Sequence, residues 1–360
     1  MEIQKIFTDN NGLVTAFAES RIGGRSENQD SYGWHDTPLG YVVTVCDGMG
    51  GGPGGKTAST IAVREIVKGI MEAALDEEPR NVVIKAIRQA NLAIIAKGNE
   101  MPEYSGMGST ATVLLLNAKS AIIAHVGDSR VYQLRGNKKV FRTFDHSMVF
   151  EMVAQGVITE EQARLSAQSN VITRALGIKP DVEVDVMEVP YLKGDRFLLC
   201  TDGIHGSMSE RELLKAVTVK DKLPTVVDNV ATNIDNIGRT TGGGHDNLTI
   251  AMVETHSDSK LKYKMTKTSK YIITGLLLLT IVSVVLNIIQ TGKAIYMANE
   301  NTAYRDSLHQ RDTVIDELQT TVAKIEEVTR KTNTNEKDSL KKDINAIKQL
   351  IKKTSINPNK

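Results

Sequence analysis

The sequence predicts an α+β fold in which antiparallel sheets pack against pairs of helices. Three observations carry that expectation. Strand-like and helix-like stretches come in blocks, with two helical patterns side by side. Val182, Val184 and Val186 alternate with Glu183 and Asp185, the period of a half-exposed antiparallel strand. Tyr41 to Cys46 and Phe197 to Cys200 are almost wholly apolar, as in strands covered on both faces.

The elements follow in order. Strand-like runs cover residues 13–20, 41–47, 110–116, 121–126, 182–189, 196–201 and 248–253. Between the second and third, Val63, Ile66, Val67, Ile70, Met71 and Ala74 form a stripe at helical spacing. Val83, Ala86, Ile87, Ala90 and Ile94 form another. Glu77-Glu78-Pro79 separates the two, and Pro79 suits a first helical turn. Further helices are expected over 146–155, 160–168, 210–217 and 225–237. Periodicity does not order the strands.

The chain has 360 residues, with 44 Lys+Arg against 43 Asp+Glu, a net charge of +1. That composition excludes a wholly disordered chain and a strongly basic nucleic-acid binder, and no nucleic-acid partner is expected. Cys46 and Cys200 alone cannot form a disulfide scaffold. The near-neutral average hides a division. Residues 1–255 carry 26 Lys+Arg and 32 Asp+Glu, a net of −6, whereas residues 256–360 carry 18 and 11, a net of +7.

Five lysines lie in a basic linker over 256–270. An uncharged run of 19 residues, 271–289, follows. At a rise of about 1.5 Å per residue it would reach roughly 28 Å, enough for a bilayer core. A single-pass transmembrane helix is therefore expected there. The lysine asymmetry would place residues 1–270 in the cytoplasm and the tail outside the cell membrane. In the tail, 290–360, Ile315, Leu318, Val322 and Ile325 are spaced like heptad positions, as are Leu340, Ile344, Ile347 and Ile351. Short coiled-coil pieces or a helical hairpin would fit, with self-association through the tail as one outcome.

Asp30, Asp47, Asp128, Asp202 and Asp246 each stand beside a strand-like run and a turn-former. One Asp-Gly is normally just a turn. Five such carboxylates at strand ends suggest convergence, and their mutual repulsion would then need cations. Oxygen ligands suit Mg or Mn, while no spacing of Cys and His supports a structural zinc site.

The motifs Arg25-Ser26-Glu27-Asn28-Gln29-Asp30, Asp47-Gly48-Met49-Gly50-Gly51, Gly108-Ser109-Thr110-Ala111 and Val126-Gly127-Asp128-Ser129-Arg130 occur in that order. Asp145-His146-Ser147, Ile172-Thr173-Arg174-Ala175-Leu176-Gly177, Thr201-Asp202-Gly203 and Asp246-Asn247-Leu248-Thr249 continue the series. With these eight motifs the chain resembles the metal-dependent type 2C serine/threonine protein phosphatases, in particular their bacterial branch. The resemblance implies a four-layer α-β-β-α sandwich over residues 1–255, with two or three Mn or Mg ions in a cleft at one end. It implies that Asp47 bridges two metals and that the Gly48 carbonyl, Asp30, Asp202 and Asp246 complete the set. Asp128, with Asp202, would hold a third metal, and Arg25 would grip the substrate phosphate. It further implies direct attack on phosphoserine or phosphothreonine by a metal-bridging hydroxide, with no side-chain nucleophile.

Some positions depart from the pattern. Met49 stands where eukaryotic members have a proposed general-acid histidine, leaving His146 and His245 as the nearest candidates. Lys56 stands where relatives usually have Glu. Residues 147–171 fall where bacterial relatives have a mobile flap. The expected function is a membrane-anchored protein phosphatase, with a transmembrane Ser/Thr kinase as the partner it would oppose. A phosphatase of small phosphoesters and a catalytically dead signalling module are the alternatives.

Overall fold

The structure, a computed structural model, describes residues 7–8, 12–50, 53–262, 280–290, 303–330 and 344–352. The chain divides into two compact units, residues 1–263 and 264–360.

The first unit begins with β1 (Phe7–Thr8), β2 (Val14–Arg21), β3 (Ser31–Thr37), β4 (Gly40–Cys46) and β5 (Gly48–Met49). Helices α1 (Gly54–Met71) and α2 (Pro79–Glu100) follow, then β6 (Gly108–Ser109), β7 (Ala111–Leu116), β8 (Ala121–Val126), β9 (Arg130–Arg135) and β10 (Lys138–Arg142). Two short helices, α3 (Met148–Ala154) and α4 (Glu160–Arg164), precede β11 (Asp185–Val189) and β12 (Arg196–Cys200). The unit closes with α5 (Asp202–His205), α6 (Glu210–Val217), α7 (Leu223–Thr240) and β13 (Leu248–Thr255).

The strands form two main antiparallel sheets, ordered β1-β2-β13-β12-β9-β10 and β11-β8-β7-β4-β3. Alternation within the strands makes the layers. Val42, Cys46, Val113 and Leu115 face α1 and α2, burying Ile66, Ile70, Ile87 and Ile94. Their neighbours Val43, Val45, Leu114 and Leu116 face the other sheet, meeting Val131, Phe197, Leu199 and Val253. The outer face of that second sheet, with Leu198, Ile250 and Met252, packs on Leu213, Val226, Val230 and Ile234 of α6 and α7. Three apolar interfaces thus stack four layers, helices outside and sheets inside.

Local chemistry starts the helices. The Glu78 side chain accepts from the Asn81 amide at 2.8 Å, and Pro79 opens α2. Capping boxes at Thr159/Gln162 and Ser209/Glu212 open α4 and α6. The helix pair α3/α4 carries its own small core of Val149, Phe150 and Ala163.

Six strands have no counterpart among the expected runs: the two-residue β1, β5 and β6, and the longer β3, β9 and β10. β3 includes Gly33 and Asp36, and β10 opens on two exposed lysines. β9 is buried although it carries Arg130 and Gln133. Its polar donors find partners in place, while Gln133 Oε1 has none among the described residues. Gln133 donates to the Pro190 carbonyl and to Asp195, both at 2.9 Å, and Arg130 meets Asp145.

In the second unit, residues 280–290 are helical, with Ile281, Val282, Val285, Leu286, Ile288 and Ile289 exposed. Residues 271–279 of the expected span lie outside the described residues. No helix among the described residues is long and apolar enough to cross a membrane. This corrects the expectation of a transmembrane helix over 271–289. The single-pass placement, with a cytoplasmic domain and an external tail, falls with it. A helix Ala303–Arg330 and one over 344–352 complete the unit, joined by Lys348 to Glu326 at 2.7 Å. Val322 and Ile344, one from each heptad-like stripe, are buried. That pairing lies within one chain and gives the coiled-coil expectation no support.

Candidate metal centre

Strand register gathers the carboxylates. Ser31 pairs with Cys46, so Asp30 and Asp47 leave β3 and β4 side by side. In the other sheet Cys200 pairs with both Ile250 and Arg130. Asp202 therefore leaves β12 at the same end where Asp246 enters β13 and Asp128 enters β9. The five carboxylates repel one another across the gap between the sheets. Asp47 lies in the field of Asp30, Asp202, Asp128 and Asp246.

Burial and repulsion act in the same direction. Burial pushes Asp30 up to about 7, with Asp202 and Asp246 adding to it. Burial and then Asp246 raise Asp202 to about 6. Asp47 and Asp128 also lie well above the usual carboxylate range, through burial first and then neighbouring carboxylates. Asp30 Oδ1 and Asp202 Oδ1 are buried and have no hydrogen-bond partner among the described residues. A buried acceptor normally finds a donor. All-oxygen ligands in a strongly negative pocket fit hard divalent cations such as Mg or Mn.

The surrounding bonds fix each carboxylate's stem. Thr201 Oγ1 donates to Asp30 Oδ2 at 2.9 Å, linking the two sheets. The Asp47 amide donates to Thr110 Oγ1, and its carbonyl accepts from the Thr110 amide, both at 2.8 Å. Gly48 packs against Gly55 so tightly that a Cβ would stand 1.9 Å from the Gly55 carbonyl oxygen. Only glycine fits there.

Arg25 sits on the loop after β2, and its Nη2 donates to Asp246 Oδ2 at 2.8 Å. Asn247 holds that loop. It accepts from the Gln29 amide at 2.8 Å and donates to the Ile22 and Glu27 carbonyls at 2.8 and 2.9 Å. Arg25, Asp128, Asp202 and Asp246 line one cleft of about 270 Å³, together with Arg164 and His205. Asn247, Thr201, Thr110 and His205 were not singled out from the sequence. Thr110, Thr201 and Asn247 lie within quoted motifs, but only the folded chain shows what they hold.

The histidines proposed as acids are otherwise engaged. His146 Nδ1 accepts from the Gly127 amide at 3.1 Å, and its Nε2 faces Asp185 at 3.4 Å and Arg174 at 3.1 Å. Burial, with His125 and Arg174 nearby, lowers it to about 4. His245 Nε2 meets Asp235 at 3.0 Å. Neither lines the cleft. His125, His146 and Asp185 bring ligand-type atoms within 4.8 Å of one another. The Gly127 bond takes the Nδ1 lone pair and puts the His146 proton on Nε2, so that ring has no lone pair for an ion. Cys46 and Cys200 are buried, which pushes each thiol up to about 12, as core residues. Lys56 Nζ donates to the Asp30 carbonyl at 2.7 Å and to Ser31 Oγ at 3.2 Å.

A four-layer sandwich with clustered carboxylates and an adjacent arginine at one end defines a metal-dependent phosphoric monoester hydrolase. The protein phosphatase 2C family profile matches residues 19–236. The chain is 34% identical over 235 residues to the serine/threonine phosphatase Stp of Listeria welshimeri, covering 64% of this chain and 88% of that one. It is 32% identical over 237 residues to the protein phosphatase PhpP of Streptococcus pneumoniae, covering 65% and 94%. Among solved structures, the Streptococcus agalactiae serine/threonine phosphatase matches with a TM-score of 0.62 at 30% identity, covering 68% of this chain and 100% of that one. The catalytic domain of the phosphatase PstP, in complex with two manganese ions, matches with a TM-score of 0.57 at 27% identity, covering 68% and 99%. The chain belongs to the protein phosphatase 2C family and is a metal-dependent serine/threonine protein phosphatase.

Proposed function

We propose that residues 1–255 form the catalytic part and release phosphate from phosphoserine and phosphothreonine of proteins. In this reading Asp30, Asp47, the Gly48 carbonyl, Asp202 and Asp246 hold two Mn or Mg ions, and Asp128 with Asp202 holds a third. When bound, such cations supply a water activated for attack and neutralise charge on the phosphoryl group. The protein's own groups orient the substrate. Arg25 offers a planar pair of donors that matches two phosphate oxygens. Thr201, Thr110 and Asn247 keep the carboxylates and the arginine loop in place.

The observation that carries this reading is the convergence of five carboxylates from both sheets beside Arg25. The test is phosphate release from a phosphothreonine peptide by the full chain with Mn, compared with Asp202→Asn. Loss of turnover in the variant is expected. Equal turnover would remove the proposed ligand set.

A further inference from the structure

A second groove, of about 920 Å³, opens between the end of β2, the start of β3, α1 and α7. Its charged lining is Arg21, Lys56, Arg64 and Arg239, with Asp30 and Asp235. Of the two acids, Asp235 is matched from within, and Asp30 is turned toward the metal centre. Arg21 binds Glu19 at 2.5 Å, Asp228 at 2.9 Å and Asp235 at 3.0 Å, and Asp235 also takes His245. The Asp30 carboxylate accepts from Thr201, toward the metal centre.

Of the remaining cations, Lys56 and Arg239 have no acidic partner among the described residues. Lys56 donates to a carbonyl and a hydroxyl, both neutral oxygens. Arg64 pairs with its chain neighbour Glu65 at 2.8 Å and stays exposed. Arg239 is exposed, and its side chain has no hydrogen-bond or ion-pair partner among the described residues. Four cations thus line the groove against two acids, and two of the cations, Lys56 and Arg239, lack an acidic partner, although residues 1–255 carry a net of −6. Between them lie exposed Ile22 and half-buried Val63, an apolar floor.

The groove adjoins the catalytic loop. The Ile22 carbonyl accepts from the Arg25 amide at 3.4 Å, so the loop carrying Arg25 ends in the groove's lining. We propose that this groove holds an acidic segment of the phosphoprotein next to the phosphorylated residue, an assignment that rests on the phosphoprotein reading above. Charge complementarity on a rim of this kind selects among partners more than it adds affinity.

The test uses the full chain with Mn and three substrates. These are a phosphothreonine peptide flanked by Asp and Glu, the same peptide flanked by Ala, and p-nitrophenyl phosphate. Wild type is expected to favour the acidic peptide through a lower KM. Arg239→Glu and Arg64→Glu should each raise that KM about fivefold to tenfold, since each reverses one rim charge. Turnover of p-nitrophenyl phosphate should not change, and a Lys-flanked peptide should regain affinity for the variants. Equal effects on all three substrates, or none on the acidic peptide, would overturn the proposal. So would competition by a single-stranded oligonucleotide with none by the acidic peptide. Failure to release phosphate from any peptide would instead sink the phosphoprotein reading. Fluorescence anisotropy of the labelled acidic peptide, weaker with Arg239→Glu, then still decides the groove.

Discussion

Arg25 and Asp246 are bonded to each other, Nη2 to Oδ2 at 2.8 Å, with half of the arginine side chain exposed. The residue assigned to the phosphate is thus parked on a residue assigned to the metal. That bond uses one of the guanidinium's five N–H donors and aims the others at the cleft, where a substrate phosphate can take them. Arg25→Ala should lower kcat/KM on a phosphothreonine peptide about a hundredfold. Arg25→Lys should restore part of it, since a point charge lacks the paired donors. Steady-state phosphate release measures both, and an unchanged KM and kcat would show that Arg25 does not meet the phosphate.

Asp47 sits in the field of four other carboxylates. Asp47→Asn removes a repelling charge as well as a ligand. The metal-free variant should therefore melt at a higher temperature than metal-free wild type, while its Mn affinity falls roughly a hundredfold. At a Mn concentration of about 100 Kd, wild type should gain about 2.7 kcal/mol that chelation removes. Calorimetric titration and thermal melts with and without EDTA read these effects.

Arg130 and Asp145 form a buried, two-pronged ion pair at 2.7 and 2.6 Å, with Arg130 stacked 4.8 Å from the Phe150 ring centroid. Asp145→Ala leaves a buried guanidinium unmatched. Stability should drop by about 3–5 kcal/mol, the usual range for breaking such a pair. Replacing both, as Arg130→Met with Asp145→Leu, should recover much of it. Urea denaturation is the measurement, and additive losses would contradict the pairing.

His146 must be neutral at Nδ1 to accept from Gly127. Its folded value, about 4, lies below the ordinary imidazole value near 6.5. The folded state therefore binds fewer protons between those values, and stability falls as pH drops from about 6.5 toward 4. The carboxylates raised in the metal-free protein act in the opposite direction. The difference between wild type and His146→Gln isolates the histidine. The variant should show a shallower loss of melting temperature below pH 6. Parallel curves would count against a neutral, acceptor His146.

Much of the fold was legible where burial and polarity agree. β4 and β12 are apolar runs that end in aspartate, and α1 and α2 show clear stripes. β9 was not legible, because Arg130 and Gln133 look like surface residues until Asp145, Asp195 and the Pro190 carbonyl are brought to them. The aspartates stood out through their strand ends. Asn247 did not, because its three bonds span more than 200 positions of sequence. The apolar run at 271–289 misled in the other direction. Hydropathy alone indicated a bilayer span, whereas no helix among the described residues is long and apolar enough to cross one.

The carboxylates come from both sheets, Asp30 and Asp47 from one and Asp202 and Asp246 from the other, and the Thr201 hydroxyl already spans the gap. An ion held by both groups would rivet the two halves of the sandwich at their open end. Loading and clamping then become one event, so a chelator loosens the laminate as well as silencing it. Conversely, any substitution that lets one sheet slip past the other, however far from the cleft, should weaken its hold on metal.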